Sequence, residues 1–318
     1  MGVAEATTVT AAAQPTRRGW IRRHLFEIAL MGPLVAYILV LTIAPIIDTF
    51  RRSFSAPGIG FGTLKSYRFL FDGFSLTDWT VFERAVFNTV IVAILSLALE
   101  MSIGLVIALA LNETFRGRGF VRTLMLVPLG VPTIVAGAVM LLIFQRAGYL
   151  NSVMSLLTDL IDKIPGVNLT WQNVSWQVAG GWRTLFTIAI ADMWKVLPVI
   201  VLIFLAGLQS IPQDVYEAAD VDGATKWQLF VRVTLPLLIP YFTMALILRA
   251  IDAFRIFELA LVLAGGVEPV LGTYISTRYL PPVSDPYTSS AASIILFAII
   301  MVFIVLYLRF VARFQVQA

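Results

Sequence analysis

The chain has 318 residues, 59% hydrophobic and 13% charged, with a formal net charge of +4, no cysteine and one histidine. A soluble domain carries about a quarter of its residues charged, so an ordinary water-soluble globule is excluded. The missing thiols exclude disulfides and cysteine chemistry, and the small basic excess suits membrane orientation rather than nucleic-acid binding.

Residues 1–16 are rich in Ala and Thr without periodicity and predict a disordered start to an N-terminal tail over 1–24. Arg17, Arg18, Arg22 and Arg23 surround the lone His24, which leaves that histidine no catalytic or metal role. The cluster looks like the start of a signal peptide, but the apolar run after it is long and no small-residue cleavage site follows, which predicts an uncleaved span. Several apolar runs reach the roughly 20 residues needed to cross a bilayer as helices. Six spans are predicted, near 25–49, 85–111, 123–145, 184–208, 235–263 and 288–311. The first holds Pro33 and Pro45 and the third Pro128 and Pro132, which membrane helices tolerate. A polar, aromatic loop fills 50–84. Residues 146–183 alternate amphipathic and turn-like pieces with Trp171, Trp176 and Trp182, and suit a membrane surface or a soluble partner equally.

The basic N-terminal segment and the short loop with Arg116, Arg118 and Arg122 place both termini, and the loop between the fourth and fifth spans, in the cytoplasm. That loop, at about 209–234, is far longer than the two to eight residues a helix connection needs. Asp214, Glu217, Asp220 and Asp222 fall near the start of a predicted short helix, where carboxylates offset its positive end. Ala218 and Ala219 leave little bulk in the way of a partner, and Gly223 can turn the chain through a left-handed conformation. The pattern reads as a docking surface.

Charges inside the spans form a second constellation. Asp192 and Lys195 are three apart on the fourth span, and Arg249, Asp252, Arg255 and Glu258 repeat every three residues on the fifth. Charges at membrane depth should face protein or water. Two uses remain open: a polar path through the spans, or a network bracing two helices. Glu100, within the second span, suits an interhelix hydrogen bond better than a proton relay.

Glu217-Ala218-Ala219-Asp220, Asp222-Gly223-Ala224 and Leu235-Pro236 resemble the signature of permease subunits of bacterial ATP-binding-cassette importers. Leu208 to Pro212, Asn88-Thr89, Gly104-Leu105 with Ala108-Leu109, Trp194-Lys195 and Gly265-Gly266 fit the same family, over about 25–311. The stretch Asp252 to Phe257 is similar to that of the carbohydrate-uptake branch, in the upstream maltose-type or glycerol-phosphate-type subunit. One departure is Val267, where the family often has proline.

The resemblance implies an all-α, six-span permease of the type I importer fold in the bacterial inner membrane, with tails at 1–24 and 312–318. It implies a heterodimer with a second permease subunit, two ATPase subunits and a solute-binding protein. ATP and magnesium would sit in the ATPase partners; this chain has no Gly-x-x-x-x-Gly-Lys-Ser/Thr loop and would hold no cofactor itself. It further implies that Glu217, Ala218, Ala219, Asp220, Asp222 and Gly223 couple to an ATPase. The path candidates it supplies are Asp192, Lys195, Val196 and Val199 on the fourth span and Arg249, Ala253, Ile256 and Phe257 on the fifth. Phe254 or Phe257 offers a ring for sugar stacking. Asp252, Arg255 and Glu258 remain as a bracing network. The expected cargo is a disaccharide such as trehalose or maltose. The competing reading is an ion-coupled secondary transporter, against which stands the lack of an internal repeat.

Overall fold

The computed structural model describes residues 25–72, 80–164, 171–176 and 180–315. The expected tail over 1–24 with His24, the Pro165-Gly166 turn and residues 316–318 lie outside the described residues. Residues up to Arg51 form one compact unit and those from Arg52 a second.

α1 (Leu25–Ile38) passes through a π-helical turn (Leu39–Ile43) into α2 (Ala44–Ser53), a 29-residue apolar helical run of which all but the last two residues belong to the first unit. Pro33 sits inside α1. The π turn immediately precedes Pro45. Proline lacks the N–H that would bond four residues back, and a widened turn absorbs the mismatch.

The second unit opens with a small antiparallel hairpin, β1 (Ser55–Ala56) and β2 (Gly60–Phe61), then α3 (Lys65–Phe71). The second span is α4 (Val81–Asn112). It starts earlier than expected because Thr80 and Glu83 form a reciprocal capping box, with Thr80 N donating to Glu83 Oε2 at 2.8 Å and Glu83 N to Thr80 Oγ1 at 3.3 Å.

The single helix expected over 123–145 is instead divided into α5 (Arg118–Met125), α6 (Val127–Gly130) and α7 (Thr133–Phe144). Val131 is extended, at φ −81° and ψ 127°, and Pro132 stands at the cap of α7. The residue before a proline is pushed out of the helical region, so the apolar run begins at Thr133. It continues through α8 (Tyr149–Ile161) to residue 161.

The fourth span is α9 (Trp182–Ser210). The polar insert after it is shorter than expected. It holds α10 (Gln213–Val221), and helix resumes at α11 (Lys226–Leu229), begun by a second capping box between Thr225 and Gln228. A π-helical turn (Phe230–Thr234) leads into α12 (Leu235–Phe254). This turn precedes Pro236 as the first precedes Pro45, so the Leu235-Pro236 pair shapes the entry to the fifth span.

The fifth span, expected to run to 263, breaks after Phe254. α13 (Glu258–Ala264) follows the break, then α14 (Leu271–Tyr279) and the last span, α15 (Pro286–Gln315). α15 carries helix into the expected C-terminal tail. Among the described residues, six helical runs are long and apolar enough to cross a membrane.

The centre of the second unit is the α4–α9 pair. A Cβ on Gly104 would stand 2.7 Å from Ile200 Cγ2, so glycine is what lets these helices approach. Ala108, Ile200, Phe204 and Leu238 join α4, α9 and α12 in one cluster. Ala136, Ile188 and Leu263 join α7, α9 and α13 in another. Leu97, Ala253, Phe254 and Ala292 tie α4 and α12 to α15 in a third.

Candidate functional site

Three charged side chains from three helices meet inside the bundle. Arg249 on α12 donates from Nε to Glu100 Oε2 at 2.8 Å, and from Nη2 to Glu100 Oε1 at 2.7 Å and Asp192 Oδ2 at 2.8 Å. The Arg249 side chain is 2% exposed and that of Glu100 0%. A guanidinium fork on a carboxylate is a strong, oriented pairing. It answers the cost of three charges placed in apolar spans. The pairing joins residues 149 positions apart, so no local pattern announces it.

Beside this triad lies a cavity of about 470 Å³. α9 supplies Asp192, Lys195 and Val196 to its wall, and Thr133 opens α7 at its edge. Arg249 and Asp252 come from the last turns of α12; Arg255, Ile256 and Phe257 come from the break, and Glu258 and Leu259 from α13. The break contains neither proline nor glycine, and Phe257 sits at φ −138° and ψ −64°. Irregular backbone at membrane depth is tolerated where it lines a cavity or is buried in protein, and here it does the first. Pro198, inside α9, leaves the carbonyl of Trp194 without its helical donor in the turn that carries Lys195.

The structure therefore brings Asp192, Lys195, Val196, Arg249, Ile256 and Phe257 to one cavity, together with Asp252, Arg255 and Glu258. It does not bring Val199 or Ala253 there; Ala253 is buried in the cluster that faces α15. Phe254 is buried too, its ring centroid 5.2 Å from that of Phe303, so Phe257 is the ring on the cavity wall. Arg249 lines the cavity and is at the same time the centre of the buried triad. Asp252 stands at the edge of that network, 3.8 Å from Arg249 Nη1 and 62% exposed. Arg255, in the helix break, and Glu258, just after it, are exposed, off the continuous face that a three-residue repeat predicts.

The acidic loop forms the exposed helix α10. Glu217, Ala218, Asp220, Asp222 and Gly223 are exposed and Ala219 half-buried. Gly223 has φ +73°, with open space where a Cβ would lie. Gln213 Nε2 donates to Glu217 Oε1 at 3.0 Å; none of these carboxylates forms an ion pair among the described residues. Val221 and Trp227 flank the turn, 87% and 71% exposed. The loop is held at its base, where Tyr241 Oη donates to Ser210 Oγ at 2.8 Å.

Sequence reasoning missed one set of contacts. Glu268 accepts from Asn88 Nδ2 at 3.0 Å and from Gly181 N at 2.5 Å, and Leu271 N donates to Thr89 Oγ1 at 2.7 Å. This clasp ties the starts of α4 and α9 to the loop after α13. Asn88-Thr89 was the available signal, but its partner is 180 residues away. Gly265 and Gly266, at φ +54° and +85°, turn the chain before Val267.

The chain belongs to the family described as the binding-protein-dependent transport system inner membrane component, which its residues 100–316 match. It is 37% identical over 286 residues to the trehalose/maltose transport system permease protein MalF of Thermococcus litoralis, covering 89% of this chain and 92% of that one. It is 30% identical over 273 residues to the trehalose transport system permease protein SugA of Mycobacterium tuberculosis, covering 82% and 80%. A crystal structure of a bacterial ABC transporter involved in the import of the acidic polysaccharide alginate contains a chain that superposes with a TM-score of 0.74. That chain is 26% identical, and the match covers 93% of this protein and 99% of its neighbour. This is a multi-pass membrane protein with the type I importer permease fold.

Proposed function

We propose that this chain is one of two permease subunits of an ATP-driven sugar importer, that it forms half of the translocation path, and that it couples to an ATPase subunit through α10. The observation that carries the reading is the family match over residues 100–316, which spans both the charged cavity and the exposed helix. The relatives named for trehalose and maltose support a disaccharide of that kind as cargo. A second alginate importer structure, 24% identical, is described in complex with a cargo-bound periplasmic protein, and a solute-binding partner is proposed here in the same way. Both termini and α10 lie in the cytoplasm in this reading. ATP and magnesium belong to the ATPase pair. Closure of that pair moves the docked helix, and the spans rock between inward-open and outward-open states around the cavity.

The chain has no cysteine, so an engineered thiol is unique within it. Asp220→Cys should cross-link to an ATPase subunit that co-purifies with the chain, while a cysteine at Glu268, in the clasp, should not. Failure of any ATPase to co-purify with the intact membrane complex would remove the reading.

A further inference from the structure

We infer that Glu100, by occupying Arg249, sets this path for uncharged saccharides and against acidic ones; the inference rests on the reading of the cavity as part of a sugar path. Among the described residues lining the cavity, the charged ones are Asp192, Asp252 and Glu258 against Lys195, Arg249 and Arg255. Cations and carboxylates are equal in number. Glu100 is absent from the wall; it lies fully buried behind Arg249 and holds two of its donor positions. Counting it, the cavity and its backing hold no surplus of positive charge.

The guanidinium fork is the protein group best matched to a sugar carboxylate. Here two of its three nitrogens are already taken. Nε and Nη2 are on Glu100 and Asp192, and Nη1 faces Asp252. An entering uronate would have to displace a buried pair or remain an unmatched anion among three wall carboxylates, and either is costly. A hydroxyl carries no charge to match, and it finds the exposed carboxylate of Asp252, Lys195 and the ring of Phe257 on the wall. The overall fold does not decide the matter, since it is shared with an importer of an acidic polysaccharide. The local pairing of Arg249 does. Glu100 does not touch cargo in this account; it is a positioning residue that acts through Arg249.

Glu100→Gln keeps the shape of the side chain, removes one negative charge and loosens the hold on Arg249. A new charge-assisted contact to a carboxylate is worth a factor of about ten or more in affinity. The test is equilibrium binding of two radiolabelled probes to the assembled membrane complex without its solute-binding protein, so that the selectivity of that protein plays no part. The probes are trehalose and a disaccharide of glucose and glucuronic acid. The unaltered complex should prefer trehalose about tenfold or more. Glu100→Gln should shift the ratio toward the uronate by about tenfold, Glu100→Asp should keep the original preference, and Glu100→Gln with Arg249→Gln should abolish the gain.

A bracing role alone would weaken both sugars by the same factor, and that result overturns the inference, as does a preference for uronate in the unaltered complex. Where Glu100→Gln does not assemble, Asp252→Asn carries the test. Its site is exposed, it buries no unpaired charge, and it should move the ratio in the same direction by a smaller factor; an unmoved ratio refutes the inference. Binding of neither probe to a complex shown to be assembled contradicts the sugar path itself, an outcome distinct from sugar binding without the shift.

Discussion

The triad inside the bundle and the helix α10 outside it are both built from carboxylates, and they treat them in opposite ways. Glu100 and Asp192 are buried and share one arginine within bonding distance. Asp220 and Asp222 are exposed and form no ion pair among the described residues. A charge in an apolar span must face protein or water, because the alternative costs at least a few kcal/mol, and this triad meets the demand by pairing within the chain. Water imposes no such demand, so the acidic helix keeps its charges exposed. Charge in the first place fixes the structure, and charge in the second is left in solvent.

Arg249→Ala should break the first region hardest. It leaves two buried carboxylates without their cation, a loss of roughly 3–5 kcal/mol. The yield of assembled complex and its thermal midpoint should both fall sharply, and a normal midpoint would show that the triad is not bracing.

Between the two regions stands Gly207, where a Cβ would lie 2.6 Å from Cγ of Tyr241. Gly207→Ala should push apart α9 and α12 and disturb the Tyr241–Ser210 bond at the base of the loop. The overpacking should cost about 1–3 kcal/mol, read as a lower midpoint with partial loss of transport.

Gly223→Val tests the second region. Open space surrounds the position, so the strain is that of the backbone at φ +73° alone, on the order of 1–2 kcal/mol. Assembly should persist while ATP hydrolysis and uptake come apart, and Gly223→Asn should be the milder change. Coupled uptake at the normal rate by the valine variant would count against α10 as the coupling element. Asp252→Asn should show the smallest effect on stability, within about 0.5 kcal/mol as for other exposed sites, with its consequence confined to which sugar the complex prefers.

Much of this comparison was legible in the sequence. The spans showed because crossing a bilayer demands about 20 apolar residues. The charged cavity residues showed because charges in such runs are rare; the family resemblance supplied the path candidates, and six of those eight meet at one cavity. The left-handed turn at Gly223 followed from residue type and setting. Other features depended on distant partners. Glu100 and Arg249 pair across 149 positions, and Asn88 and Glu268 across 180, so neither pairing has a local signature. The break at 255–257 has no proline or glycine to mark it, and it takes Arg255 and Glu258 off the helix face that their spacing predicted. Pro132 did announce its break; the general tolerance of membrane helices for proline concealed it.

In the proposed reading, the energy for transport arrives from partner ATPase subunits, through α10. Uptake of labelled trehalose or maltose into sealed vesicles carrying the full complex tests it most directly, with proton and sodium gradients collapsed and ATP supplied on the α10 side. Uptake that requires ATP and persists without either gradient is the predicted result. Uptake abolished by a protonophore while ATP stays high would contradict it and assign the intramembrane charges to an ion-coupled cycle.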